Sequence, residues 1–506
     1  MPVFRDGKKI TVVIDSLAGG LANSVFAGGE NQFAPGSRCL DFETEQGTIR
    51  PQLALSGDIS GDLQTFAAKF IIRSSNNNIL TGVTDLTPNI SLGTVSLGST
   101  SSYSAVDVDA GDTDGPQKGT VVIEWKSYLW FYTGVAVLTK YGDITSSPTI
   151  TLNVGSVDSG NVGLDIIATK SFLYYCSGES IGRASDASTF NATALTLDSS
   201  QQVRSLTRWQ NYIVAGVSMA FDSDYSSLVI WDGVSTQMAR QPVIIPDSGL
   251  RVVRNLGETV FAFCISADSN SSLGAKNKLK IYAWSGGPVE KVAELDLENT
   301  TLGTFTVYPG AVDVHENKIY FSIGAPTANT MTRDNGIYSL NKNGVLNLEY
   351  VPTSNSSDTL DLDYYFTKWI DNRLVTLHLN GANTVFAQST AGSLVYSSNA
   401  ILDTLAYRFS PTKKSRITRV RFGMKKMPAS VSLQLLEKVD QASSFTAVKT
   451  FSTDDDTEGL VEGGTEYVFP TGNTHQLEFK FTSSSASKVD IILPIVIEAE
   501  EMDDYT

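Results

Sequence analysis

Along the middle of the chain, runs of aromatic and β-branched residues recur. Each opens on a polar turn pair, and most end on a small or polar residue. The clearest copies are KSYLWFYTG (126–134) and KSFLYYCSG (170–178). Looser ones are QNYIVAGVS (210–218), GETVFAFCI (257–265), ENKIYFSIG (316–324) and DNRLVTLHL (371–379). Counted from the first residue of each copy, the intervals are 44, 40, 47, 59 and 55. Short apolar runs without strict alternation suit strands covered on both faces. A repeat of this period suggests propeller blades, each a small four-stranded sheet flanked by its neighbours. The six copies read as one equivalent central strand from each of about six blades. Several are followed by a second run that ends in a turn: LVIWDG (228–233), LKIYAWSGG (279–287) and GIYSLNKNG (336–344). Aromatic or β-branched residues running into Asp-Gly, Gly-Gly or Asn-Gly are hairpin signals. The Ser/Asn-rich inserts at 265–277 and 352–361 fit the more variable outer strands.

The two ends read differently. From about residue 406, SRITRVRFGMKK (415–426), VSLQLLEKV (431–439), QLEFKFT (476–482) and KVDIILPIVIEAE (488–500) alternate cleanly. This is the pattern of half-buried antiparallel strands, and it predicts a β-sandwich or jelly-roll-like domain over 406–506, ending in a solvated acidic tail. At the other end, 1–60 holds one short strand candidate and then a long segment punctuated by Gly19, Gly20, Gly28 and Gly29. So long a loop is unusual inside a compact domain. It reads as an extended arm, one that either reaches a neighbouring subunit or closes the chain's own propeller. The propeller takes 61–405, with blade repeats clear from about 117. Residues 62–100 are either strands of a first blade or a small β-subdomain. No helical periodicity runs beyond about three turns, so the fold class is all-β: an irregular β-propeller between an arm and a β-sandwich.

Composition narrows the function classes. A net charge of −16 argues against a dedicated nucleic-acid binder, which needs clustered Lys and Arg. No segment has the apolar length of a membrane span, and the run Ile10–Ile14 is too short for a signal-peptide core. The expectation is a soluble protein made in a cytoplasm. Cys39, Cys176 and Cys264 are far apart and read as small buried hydrophobes rather than a disulfide framework.

Candidate chemistry is sparse. His315, His378 and His475 are isolated and form no metal-ligand spacing; the first two fall by or in blade strands and read as structural. Asp107, Asp109, Asp112 and Asp114 make a weak Ca²⁺ candidate in DVDAGDTDG (107–115), but their spacing departs from the EF-hand loop, so a solvated acidic loop is preferred. Asp165, Asp313, Asp361 and Asp363 are carboxylates that a propeller centre could gather for glycan cleavage. Neither a WD40 signature nor a sialidase-type Asp box accompanies the blades. Lys413, Lys414, Arg416, Arg419, Arg421, Lys425 and Lys426 form the sharpest charge cluster, with Arg419 and Arg421 on one strand face. It is either a face neutralised by the chain's own acids or a docking surface for an acidic neighbour.

The Gly-rich start, the stretch CLDFETEQG (39–47) and the Gly-x-Ile-Arg-Pro exit at 47–51, placed ahead of an irregular propeller, resemble virion proteins of tailed bacteriophages. The likeness is to propeller-containing tail proteins, those of tail nozzles included. It implies a structural, non-catalytic virion component with no cofactor, assembled in the host cytoplasm. Its partners would be its own copies in a ring and other tail proteins, contacted through the arm glycines and the basic cluster. The alternative is a glycan-binding or glycan-cleaving propeller on a receptor-binding tail part, with a host-surface glycan as partner.

Overall fold

The computed structural model describes the chain apart from residues 1–2, 7, 18–36, 43–44, 46, 59–67, 85–88, 97–101, 111–116, 134–136, 143–149, 156–163, 220–224, 269–275, 298–304, 326–334, 352–361, 381–382, 390–395, 399, 453–457, 465–466, 485–486 and 503–506. Its regular structure is β apart from one 3₁₀ turn, Pro309–Ala311. No helix among the described residues is long and apolar enough to cross a membrane. The chain divides into two compact units: 56–344 with 354–388, and 1–55 with 345–353 and 389–506.

The first unit is a succession of seven small sheets. Each of the six sequence repeats supplies the second strand of a sheet: Tyr128–Thr133, Leu173–Ser177, Tyr212–Met219, Thr259–Asp268, Lys318–Ser322 and Arg373–Asn380. The polar pairs that open the repeats are the turns from the first strand to the second. Lys126 and Ser127 (φ 51° and 65°), Glu316 and Asn317 (46° and 64°) and Asp371 and Asn372 (51° and 58°) all have positive φ. That is the backbone of a type I′ hairpin, whose twist matches the strands on either side. The apolar run after each turn is buried because the strand lies between sheet neighbours and beneath the adjoining sheets. Every residue of Leu173–Ser177 is buried.

Residues 68–110 form a further sheet of consecutive strands, Ala68–Arg73, Ile79–Thr84, Asn89–Ser96 and Ser102–Ala110. It is a four-stranded sheet of the same kind as those that hold the repeats. The last sheet takes Leu362–Ile370, Arg373–Asn380 and Asn383–Ser389, and its outer strand is Leu55–Asp58 from far upstream. Part of the segment read as an arm is thus a closing strand.

Aromatic contacts join one sheet to the next. Phe70 meets Phe131 at 5.3 Å, Trp130 meets Phe190 at 5.8 Å and Tyr174 meets Trp231 at 5.6 Å. Trp209 meets Trp284 at 4.5 Å, Phe263 meets Phe321 at 4.9 Å and His315 stacks on Trp369 at 4.4 Å. The Tyr365 hydroxyl then donates to the Ala68 carbonyl at 2.7 Å, joining the last sheet to the first. The core is therefore a set of wedges between blades, and the unit is a β-propeller. Cys176 and Cys264 lie buried and free within it.

The second unit holds two sheets. One runs Val3–Asp6, Lys9–Ile14, Ile491–Glu501, Ser415–Met424, Glu458–Glu462, with Thr48–Pro51 also on Ile491–Glu501. The other runs Ile401–Asp403, His475–Thr482, Ser432–Val439, Thr446–Phe451. Phe422 of the first meets Phe451 and Phe479 of the second edge-on, at 5.6 and 5.1 Å. Lys9–Ile14 pairs in register with Ile495–Glu500, so this part of 1–60 is built into the chain's own sheet. The acidic end is likewise a strand as far as Glu501 rather than a free tail.

Candidate functional site

Innermost strands of successive blades end at equivalent turns, so positions counted back from those turns fall in layers. Five residues before the turn at 170 stands Asp165, and five before the turn at 210 stands Ser205. Three before the next turns stand Arg254, Asp313 and Lys368, with Thr207 one blade earlier. Asp165, Thr207, Arg254, Asp313 and Lys368 line a cavity of about 180 Å³ between the first strands of the blades, and Ser205 stands behind Asp165.

Asp165 anchors it. Its Oδ2 accepts from Arg254 Nη1 at 2.6 Å and from the Leu206 amide at 3.0 Å, and also from the Ser205 hydroxyl. Arg254 carries the network onward: Nη1 donates to the Val253 carbonyl and Nη2 to the Pro309 carbonyl, each at 2.8 Å. One ion pair thereby ties four blades at the axis. The Asp165 side chain is 1% exposed and that of Arg254 12%, so the pair is shielded from solvent screening. Asp165 Oδ1 is buried without a hydrogen-bond partner. Asp313 Oδ2 accepts the Trp369 amide at 2.8 Å.

Of the carboxylates singled out from sequence, Asp165 and Asp313 therefore share the cavity. Asp363 sits elsewhere on its inner strand, paired with Lys118. Asp361 lies outside the described residues. Arg254 had no motif to announce it; the only signal was its fixed distance from a turn pair.

The histidines are scattered. His378 is fully buried with neither ring nitrogen hydrogen-bonded, stacks on Tyr364 at 4.6 Å and is held down to about 3 by burial, hence neutral. In the second unit His475 donates from Nε2 to the Ser415 carbonyl at 3.0 Å, and its Nδ1 lies 2.8 Å from Glu437 Oε1. Burial pushes the Glu437 carboxyl up, although His475 opposes the shift.

The basic cluster lies on and beside Ser415–Met424 in the second unit, among acids of the same chain. Arg416 meets Glu500 at 2.7 Å, and Arg419 lies 3.8 Å from Glu462 and 3.9 Å from Glu498. Arg421 pairs with Glu458, and Lys425 meets Glu45 at 2.7 Å and Asp490 at 3.4 Å. Lys414 and Lys426 are exposed, and Lys413 is half-buried. Asp107 and Asp109 are not on a loop. They stand in Ser102–Ala110, where Asp107 is opposite Leu92 and Asp109 opposite Ile90. Asp112, Asp114, Gly19, Gly20, Gly28 and Gly29 lie outside the described residues. Among the described residues no group of three or more His, Cys, Asp or Glu could hold a metal ion.

No family model and no curated protein matches the chain. Among solved structures, the N-terminal domain of Nup159 is similar at 10% identity, with 69% of this chain and 97% of that chain covered and a TM-score of 0.39. A chain of the mitotic checkpoint complex is similar at 16% identity, covering 66% and 94%, with a TM-score of 0.37. The exo-β-1,3-galactanase of Phanerochaete chrysosporium is similar at 9% identity, covering 68% and 96%, with a TM-score of 0.26.

Proposed function

We propose that this chain is a structural, non-catalytic interaction protein: a seven-bladed propeller with a β-sandwich, acting as a tail component of a phage-like virion. The observation that carries the non-catalytic reading is the state of the central carboxylates. Asp165 is held by Arg254 and a backbone amide, Asp313 by the Trp369 amide and Asp363 by Lys118. Glycoside hydrolysis needs two carboxyl groups facing each other across substrate, one free to give a proton and one free to attack or activate water. Carboxylates committed to protein donors serve to fix blades instead. The virion role is supported by the sequence resemblance around CLDFETEQG and Ile49-Arg50-Pro51, and by a propeller and a sandwich following one another in one chain. Its partners are then its own copies, arranged in a ring, and neighbouring tail proteins.

Light scattering with negative-stain imaging of the full chain over a range of concentrations tests this. Rings of one fixed copy number are expected. A monomer at every concentration would sink ring assembly, and binding on a glycan array would then favour the receptor-binding alternative.

A further inference from the structure

The cavity that Asp165 lines has apolar walls, Leu206, Val312 and Phe366 among them, and four charged side chains: Asp165, Arg254, Asp313 and Lys368. An apolar hollow with a few fixed polar groups is the usual make-up of a small-molecule site. Two acids and two bases leave it with no net charge. Asp165 and Arg254 already answer each other as an ion pair.

Three polar groups on this wall lack protein partners. The Asp165 side chain is 1% exposed, and its Oδ1 is buried without a hydrogen-bond partner. An ionised carboxylate accepts at both oxygens, and a buried acceptor left unmade is costly. Asp313 uses Oδ2 for the Trp369 amide, while its Oδ1 meets no donor among the described residues. Lys368 is half-buried, and its ammonium makes no hydrogen bond or ion pair among the described residues. Asp313 and Lys368 thus line one hollow without neutralising each other. A ligand carrying only positive charge would leave Lys368 unmatched, and one carrying only negative charge would meet two carboxylates. The complementary molecule carries both signs. Its size is bounded too: an apolar cavity of about 150 Å³ holds one benzene ring. At about 180 Å³, this one takes roughly six to ten non-hydrogen atoms.

We propose that the cavity binds a small zwitterion of the α-amino acid class. The ammonium of the ligand donates to Asp165 Oδ1 and Asp313, its carboxylate accepts from Lys368, and its side chain lies on the apolar wall. The carboxylates act only as acceptors, as they do toward Arg254 and the Trp369 amide. The site goes beyond the assembly role and does not depend on it.

Thermal unfolding of the full chain with glycine, L-serine, L-valine or L-leucine tests the proposal, followed by calorimetric titration with whichever raises the midpoint most. At least one should raise the midpoint and bind saturably. The matching amine, without the carboxylate, and the matching acid, without the ammonium, should each bind about tenfold more weakly or worse, as when a hydrogen bond to a charged group is lost. Lys368→Met should weaken binding by about the same factor, and Lys368→Arg should restore part of it. With no amino acid present, Lys368→Met should unfold at the parent midpoint, since the ammonium holds no protein group; this separates lost binding from misfolding. Asp313→Asn, which can still accept the Trp369 amide, is the second variant and should also weaken binding. Any of four outcomes would overturn the proposal: no midpoint rise from any of these amino acids, an equal rise from D-glucose at the same concentration, an amine or acid that binds as tightly as the amino acid, or variants that bind as the parent does.

Discussion

Asp165 is the residue on which the propeller centre turns, because it is buried and the cation it pairs with, Arg254, is only 12% exposed. Asp165→Asn keeps the shape and strands that guanidinium without a counter-charge. Breaking a buried pair from one side costs about 3–5 kcal/mol, and urea unfolding should show a loss of that order, while Arg421→Gln on an exposed face of the second unit should cost under about 1 kcal/mol. A second residue-scale consequence lies in the second unit, where Asp403 and Glu478 are cross-strand partners. Burial, then the charge of Glu478, pushes the Asp403 carboxyl up to about 8. The folded chain therefore holds a proton that the unfolded chain releases near the ordinary aspartate range. Its stability should fall as pH rises from about 4 to about 8, and Asp403→Asn should flatten that part of the profile. A flat parent profile, measured by denaturant midpoint, would refute the assignment. Legibility at this scale was partial. Asp165, Asp313 and Asp363 could be named because carboxylates near blade strands are conspicuous. Arg254 could not, since a lone cation makes no local pattern; only its spacing from the turn pair of its blade marks it.

At the scale of elements, the repeat was legible because two constraints coincide in it. A two-residue turn with positive φ selects polar residues, and a strand covered on both faces selects aromatic and β-branched ones. The sheet at 68–110 escaped the repeat because its first turn is longer: Ser74 to Asn78 separate its first two strands, with Asn77 alone at positive φ. Thr48–Pro51 and Leu55–Asp58 were less legible still, since each pairs with a strand hundreds of residues away. The turn chemistry is testable. Ser127 holds φ 65°, a conformation that costs a residue with a Cβ. Ser127→Gly should raise stability by about 0.5 kcal/mol, whereas Ser127→Val should lower it by more than that. Equal midpoints for the two variants would contradict the hairpin geometry.

For the whole molecule, the upstream strands set what can be removed. Deleting residues 1–60 takes away Leu55–Asp58 from the last blade and Lys9–Ile14 and Thr48–Pro51 from the sheet of Ile491–Glu501. The truncated chain should lose cooperative unfolding and aggregate through its bare strand edges; a soluble, cooperatively folding product would show that these pairings are dispensable. The closing strand also sets an order in time. Leu55–Asp58 emerges from the ribosome 325 residues before Asn383, where its partner strand begins. At about 5–20 residues per second that is a wait on the order of tens of seconds, during which the sheets between can form while Leu55–Asp58 has no partner strand. A nascent chain stalled shortly before residue 383 should therefore hold an open ring that proteases cut near residue 58, and elongation past residue 389 should abolish the cut.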